Sequence, residues 1–570
     1  VRLKGRASGI YRNIKEEIRK RVQLKESLKY LENFEITNNK EEILQRQKYF
    51  KNNLPKIEPK LKDALAQIKS IEFKERYFRD RLLVVEETEM EKAKALGICD
   101  VSLKPEEGYE LILSTIGYGI DVNLSLSQIA PEIYILPLWE NRDTLEALSK
   151  ISDVLGEESV AKKILGELQE LNELIERKRI IRNLYEIAKR EERELNSRIE
   201  KKIKEFSLTL KGEELLEFLK KMKNGDFNGM LSHFSEIENY IFEEMKKSED
   251  RLSKLLDFEV ELFSRENLYP IEIPSEIIER LAVEVERKMK IELYFKSLEI
   301  MRKIEDLLPK LEDELKRAYE LEFLRAVKEF VKDFTFPEIK DGGIAFLNAK
   351  HLFIKNPQPI SYVVGRIAEL DGTKGENVII LTGANSGGKT SLLELIVQIE
   401  ILAHMGFPVN AEKAWIEPLD ELFFFTKTHS SYGAGAFETA IKSFARSLIG
   451  EGRKMILIDE FEAITEPGAG VKIIAELLRI AQEKEFYVIV VSHLGEELKK
   501  VLPFARVDGI EARGLDERLN LIVDRQPKFG VLGKSTPELI VEKLYRTKSG
   551  KEKKIFERVW NSFKNWKNQK

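Results

Sequence analysis

The residues from Asn377 to Leu402 read NVIILTGANSGGKTSLLELIVQIEIL. A buried strand over Val378–Leu381 is expected to run into Gly383, Ala384, Asn385, Ser386, Gly387, Gly388, Lys389 and Thr390, with an apolar helix following from Ser391. This is the G-x-x-x-x-G-K-[ST] spacing in its strand–loop–helix setting. Glycines let successive backbone N–H groups turn inward on a phosphate, and the helix N-terminus adds partial positive charge. Lys389 is placed to reach the β- and γ-phosphates, and the Thr390 hydroxyl to hold Mg²⁺. The implied ligands are ATP and Mg²⁺.

About 70 residues on, Met455-Ile456-Leu457-Ile458 leads into Asp459-Glu460. Asp459 is the expected metal carboxylate and Glu460 the group that polarises an attacking water. A third apolar run, Phe486–Val491, ends in Ser492-His493, where an imidazole can sense or orient the γ-phosphate. The candidate catalytic set is therefore Glu460, His493 and Lys389.

These motifs need a framework, and the 570 residues supply it unevenly. Charged residues make up 34% against a norm of about 25%, with both signs interleaved, as in long exposed helices, coiled coils or the ion-pair networks of a thermophile. The net charge of −4 excludes a bulk-charge argument for nucleic acid, so any such contact must use local patches. Cys99 alone cannot form an internal disulfide or a Cys-based metal site, and five scattered histidines argue against a His cluster. With no apolar run long enough to span a bilayer and no signal-peptide core, a cytoplasmic, nucleoid-associated protein without a membrane partner is expected.

Residues 1–157 are expected to form a helical core with a small mixed α/β element over about 81–157, in which RLLVVEE, YELILST and EIYILPLW read as short strands or buried apolar segments. Residues 158–335 carry heptad-spaced Leu174, Ile181, Ala188 and Leu195, and a second helical run from Ser275 to Phe330. They predict two coiled-coil arms joined by a distal tip at about 207–274, the part that the family resemblance below makes levers and clamp. If 158–206 were one helix it would be on the order of 70 Å long. Residues 340–544 alternate short strands, Gly-containing loops and helices. Residues 545–570 form a basic tail with nine cationic and two acidic residues and with Phe556, Trp560 and Phe563 at helical spacing.

The sequence resembles the MutS family of DNA mismatch-repair and recombination ATPases. The resemblance rests on LTGANSGGKTS (381–391), HMGFPVNAE (404–412), LIDEFEAITEPGAG (457–470), VVSHLGEELKK (490–500) and FGVLGKSTPELIVEKL (529–544), with AKHLFIKNPQPISYVVG (349–365) as the lead-in. It implies an α/β ABC-class P-loop ATPase domain behind helical levers and clamp, and a homodimer with composite ATP sites that encloses duplex or branched DNA. It also implies that nucleotide moves the clamp. Three departures stand out. Gly435, before Ala436 and Phe437, occupies the place of the signature serine that touches the partner's γ-phosphate, where Ser430, Ser431 or backbone N–H groups could substitute. Glu462-Ala463-Ile464 replaces a G-x-G. The mismatch-reading domain and the nuclease domain of some members are missing, so recognition of mismatches is not expected.

Lys220, Lys221, Lys223, Lys246, Lys247, Arg251 and Lys254 near the expected tip are candidate phosphate contacts. The tail is expected to dock on DNA, on a repair-protein partner, or on the ATPase domain itself. The competing reading is a coiled-coil scaffold that uses nucleotide only as a dimerisation switch.

Overall fold

The computed structural model describes residues 1–207, 209–226, 235–264, 269–383, 388–426, 434–459, 467–515, 521–533 and 537–567. The chain divides into two compact units, Val1–Ala66 with Tyr319–Lys570, and Gln67–Ala318. The sequence grouped residues 1–157 together. In the structure the first 66 residues pack with the C-terminal half, because Arg2–Gly5 is a strand of its main sheet.

That sheet has seven strands, here β1 (Arg2–Gly5), β2 (Val378–Gly383), β3 (Glu421–Phe425), β4 (Lys454–Ile458), β5 (Tyr487–Val491), β6 (Arg506–Leu515) and β7 (Leu521–Lys528), in the order β1-β3-β4-β5-β2-β6-β7. All neighbours are parallel except β6 and β7. Parallel strands are joined by helices that cover both faces, which is why VIILTG, KMILI and YVIVV are apolar or buried along their whole length rather than alternating. The helices used below are α1 (Arg6–Arg19), α2 (Lys389–His404), α3 (Ala434–Ser447), α4 (Pro467–Glu483), α5 (Gly495–Val501), α6 (Pro537–Thr547) and α7 (Gly550–Lys567). On one sheet face Val378, Ile380, Ile456, Ile458, Val488 and Val490 pack with Ile474 and Leu478 of α4 and Leu498 of α5. A second, four-stranded sheet joins Glu338–Ile339, Lys413–Ile416, Gly343–Ala349 and Ile360–Gly365.

In the unit Gln67–Ala318, Phe78–Val84, Cys99–Ser102, Leu111–Ser114 and Ile120–Asp121 form a four-stranded parallel sheet, so RLLVVEE and YELILST are strands as expected. EIYILPLW is not: Glu132–Glu140 is a helix. A continuous apolar run has no period to distinguish the two states, and here Pro131 opens the helix while the Glu132 carboxylate pairs with buried Arg81 at 2.8 Å. The expected single helix over 158–206 is three pieces, Val160–Leu168, Asn172–Arg182 and Leu184–Glu205, interrupted at Gln169–Leu171 and Asn183. The N-terminus of the first is capped by the Glu314 carboxylate, which accepts from Val160 N–H (3.1 Å) and Ala161 N–H (3.0 Å).

Of the heptad residues, Ile181, Ala188 and Leu195 face a seam. Leu184 and Ala188 pack with Leu252, Leu281 and Val285, whereas Leu195 and Ile199 pack with Ile237, Ile241 and Met245. The arm is thus built by Leu184–Glu205, Ser235–Leu256 and Ser275–Ile304, one helix more than the two-armed expectation. The irregular return to the last of these is held by side chains: Asn196 exchanges two hydrogen bonds with the backbone of Ile271, and Glu249 accepts from Leu262 and Phe263 N–H.

Candidate functional site

From β2 the chain crosses to β3 and returns through β4 and β5 to lie beside β2 again, before passing to β6 on its other side. β2 is therefore where strand order reverses, and the crevice outside the carboxyl ends of such strands is where α/β sheets bind ligands. Gly383 closes β2 at φ 122° and Gly388 precedes α2 at φ 90°, a backbone region open mainly to glycine. The buried Lys389 ammonium donates to Gly383 O at 2.6 Å. The Thr390 hydroxyl donates to Asp459 Oδ2 at 2.6 Å, and Asp459 is fixed past the end of β4 by its N–H on Phe425 O at 2.9 Å. A hydroxyl and a carboxylate at this separation are hard oxygen donors that suit Mg²⁺.

Gly383, Gly388, Lys389, Thr390 and Asp459 are thus brought together from segments about 70 residues apart. His493 lies exposed two residues beyond β5, at the same sheet edge. Ser391 lines a cavity beside the loop. Ala384, Asn385, Ser386, Gly387 and Glu460 lie outside the described residues, as do Ser430, Ser431 and Glu462–Ile464. Gly435, Ala436 and Phe437 occupy the first turn of α3.

The cavity, about 210 Å³, is bordered by Gly388 and Ser391 and by His351, Asn356, Gln358 and Arg525. Arg525 was not singled out in the sequence. It sits on β7 with Nη1 3.4 Å from where a Cβ on Gly388 would be, and its N–H donates to Gln358 Oε1 at 3.0 Å while Gln358 Nε2 donates to Asp524 Oδ1 at 2.9 Å. No local signal marks a lone arginine; only the sheet order brings β7 near the loop. The His351 ring lies 3.0 Å from both Glu394 Oε2 and Gln398 Nε2, and Arg6 of α1 bonds the other Glu394 oxygen. Burial pushes the Glu394 carboxyl up, yet the His351 and Arg6 contacts leave it below the ordinary range.

Beneath the loop, Thr382 donates its hydroxyl to Asp508 O (2.9 Å) and accepts from Gly533 N–H (2.7 Å). A Cβ on Gly533 would lie 2.9 Å from the Cα atoms of both Gly383 and Gly509, and one on Gly495 would lie 2.3 Å from Thr382 Cγ2. The strands at Gly383 and Gly509 therefore meet Gly533 backbone to backbone, and the start of α5 after His493 packs on the Thr382 side chain. Asp508 is fully buried: Arg506 Nε reaches its Oδ1 at 2.9 Å, and the Tyr362 hydroxyl its Oδ2 at 2.8 Å. Burial, then the Asp508 charge, drives the Tyr362 pKa well above its ordinary value.

At the far end of α2, His404 is held neutral between two backbone groups, Nδ1 on Glu400 O (2.7 Å) and Nε2 accepting from Leu419 N–H (2.8 Å). Burial lowers its pKa to about 4 and, with the nearby Glu417 charge, raises that of Glu400 well above the carboxylate range.

Among the cations expected at the arm tip, Lys221, Lys247 and Arg251 are paired with Glu217, Glu244 and Glu191 at 3.2, 2.8 and 3.0 Å. In the tail the Trp560 ring stacks on Tyr545 at 5.3 Å and 14°, so α7 packs on α6 through Trp560.

No protein-family model matches the chain. It is 52% identical over 567 residues, 99% of its length and 100% of the relative's, to the DNA-binding protein MutS2 of Pyrococcus furiosus. It is also 27% identical over 179 residues to the endonuclease MutS2 of Streptococcus agalactiae and 24% identical over 242 residues to that of Clostridium novyi. Those two matches span 29% and 40% of this chain but only 21% and 29% of the relatives.

Proposed function

The chain belongs to the MutS2 family, MutS-family proteins that lack the mismatch-recognition domain, and from that premise we propose that it is a dimeric ATPase that binds duplex or branched DNA and couples ATP turnover to movement of its arms in repair or recombination. The observation that carries the ATPase reading is the Thr390–Asp459 contact at the mouth of two parallel strands, with Lys389 in the same helical turn. DNA as the partner is supported by the full-length relative, the DNA-binding protein MutS2 of Pyrococcus furiosus.

In this reading Lys389 neutralises the β- and γ-phosphates, and the loop backbone at Gly383–Gly388 cradles them. Thr390 and Asp459 hold Mg²⁺, which when bound supplies charge neutralisation of the transferring phosphoryl group. Glu460, one residue after Asp459, orients the water, and His493 at the neighbouring strand end answers to the γ-phosphate. The cavity under Arg525 takes the base-and-sugar end of the nucleotide. The first turn of α3 offers the N–H groups of Gly435 and Ala436 to the γ-phosphate of a second copy, the role a serine hydroxyl would otherwise have.

Two measurements test this. Glu460→Ala is expected to retain nucleotide binding and to stall hydrolysis; turnover at the wild-type rate would remove Glu460 from its role. Affinity for linear, mismatched and branched duplexes, with and without ATP, is expected to be measurable at low salt and insensitive to a mismatch. No binding to any of them would leave the scaffold reading.

A further inference from the structure

We propose that the solvent side of α7 is a contact surface for the phosphate backbone of duplex DNA, a proposal that rests on the DNA-binding reading above. The Trp560 ring stacks on Tyr545 and the Lys553 ammonium lies 5.4 Å over the same ring, which commits the Lys553–Trp560 side of the helix to α6. At 100° per residue the opposite side is centred on Lys551, Lys554 and Arg558, all exposed. The acids of this helix lie on its flanks: Glu552 pairs with Lys548 at 3.1 Å, and Glu557 projects about a quarter-turn from the basic row. Among the described residues no carboxylate forms an ion pair with Lys551, Lys554 or Arg558.

This differs from the arm helices, where Lys204, Lys290 and Lys316 each form an ion pair with a carboxylate one turn away, Glu200, Glu286 and Glu312. The three tail cations extend along about 10 Å of helix axis, a length over which duplex DNA presents on the order of six phosphates. A cleft along α7 is lined by Lys554, Ile555, Arg558, Val559, Ser562 and Phe563. Seating a second copy there would set Lys554 and Arg558 against their own kind, whereas a polyanion neutralises them, so the charge pattern selects nucleic acid as the occupant.

The test uses the full chain and a labelled 30-base-pair duplex, with anisotropy titrations from about 50 to 200 mM KCl. The variant K551Q/K554Q/R558Q is expected to flatten the plot of log K against log salt by up to about 2.7, roughly 0.9 per phosphate contact, and to weaken linear, mismatched and branched duplexes alike. K204Q/K290Q/K316Q, with the same loss of charge from paired positions, is expected to keep the wild-type slope, and so is K551R/K554R. A wild-type slope in the tail variant would overturn the proposal and give the basic row to an acidic protein partner; equal flattening by the arm variant would overturn it in favour of general charge. If the wild-type chain itself binds no duplex at 50 mM KCl, the DNA-binding reading fails first and takes this proposal with it.

Discussion

The two units of the chain use charge in opposite ways. In Gln67–Ala318 the ion pairs lie mostly on the surface, such as Lys303 between Glu167 and Glu170 at 3.0 and 3.1 Å, and Arg177 on Asp257 at 2.9 Å; buried Arg81 with Glu132 departs from this. In Val1–Ala66 with Tyr319–Lys570, Lys389, Arg506 and Asp508 are all under a tenth exposed and wired to backbone or to each other. An exposed pair adds little and a buried one is costly to break. The same 34% of charged residues therefore keeps helices soluble in one unit and builds a site in the other.

Substitutions separate the two uses. Lys389→Ala should abolish nucleotide binding by calorimetry; retained affinity would mean that the buried ammonium is structural. Asp508→Ala removes the nearer carboxylate of buried Arg506, leaving it only Glu376 at 3.3 Å, and should cost about 3 kcal/mol in denaturant unfolding. His404 supplies a smaller effect with a definite sign. Its pKa is about 4 in the folded chain against the ordinary 6.5, so between these values the unfolded chain takes up a proton that the folded one refuses. Stability should fall as pH drops from 6.5 to 4, by up to about 3 kcal/mol, and His404→Gln should remove that slope. Arg177→Gln in the other unit should change stability by less than about 1 kcal/mol, and by still less in high salt.

What the sequence disclosed follows the same division. The glycine-rich segment 383–390 stood out because its pattern is set by eight adjacent residues between a strand and a helix, and the heptad positions Ala188 and Leu195, buried in the structure, because their period is local. Hidden were the features whose partners are distant. Arg2–Gly5 becomes a strand only by pairing with Glu421–Phe424, Arg525 approaches Gly388 through sheet order, and Gly383, Gly509 and Gly533 touch across more than a hundred residues. The helix Glu132–Glu140 was read as a strand or buried segment because an unbroken apolar run fits either.

The bonds from Lys389 to Gly383 O and from Thr390 to Asp459 give the site an internal competitor. On the proposed function, phosphate would take the lysine from a carbonyl and the metal would take the hydroxyl from a carboxylate, so each incoming contact would replace one already made. Affinity is then a difference between two satisfied states, and the enthalpy of binding should be modest for the number of bonds formed. The bond to Gly383 O would also hold Lys389 in one rotamer while the site is empty, so that under the proposed function product release would need no new search for the binding-competent arrangement.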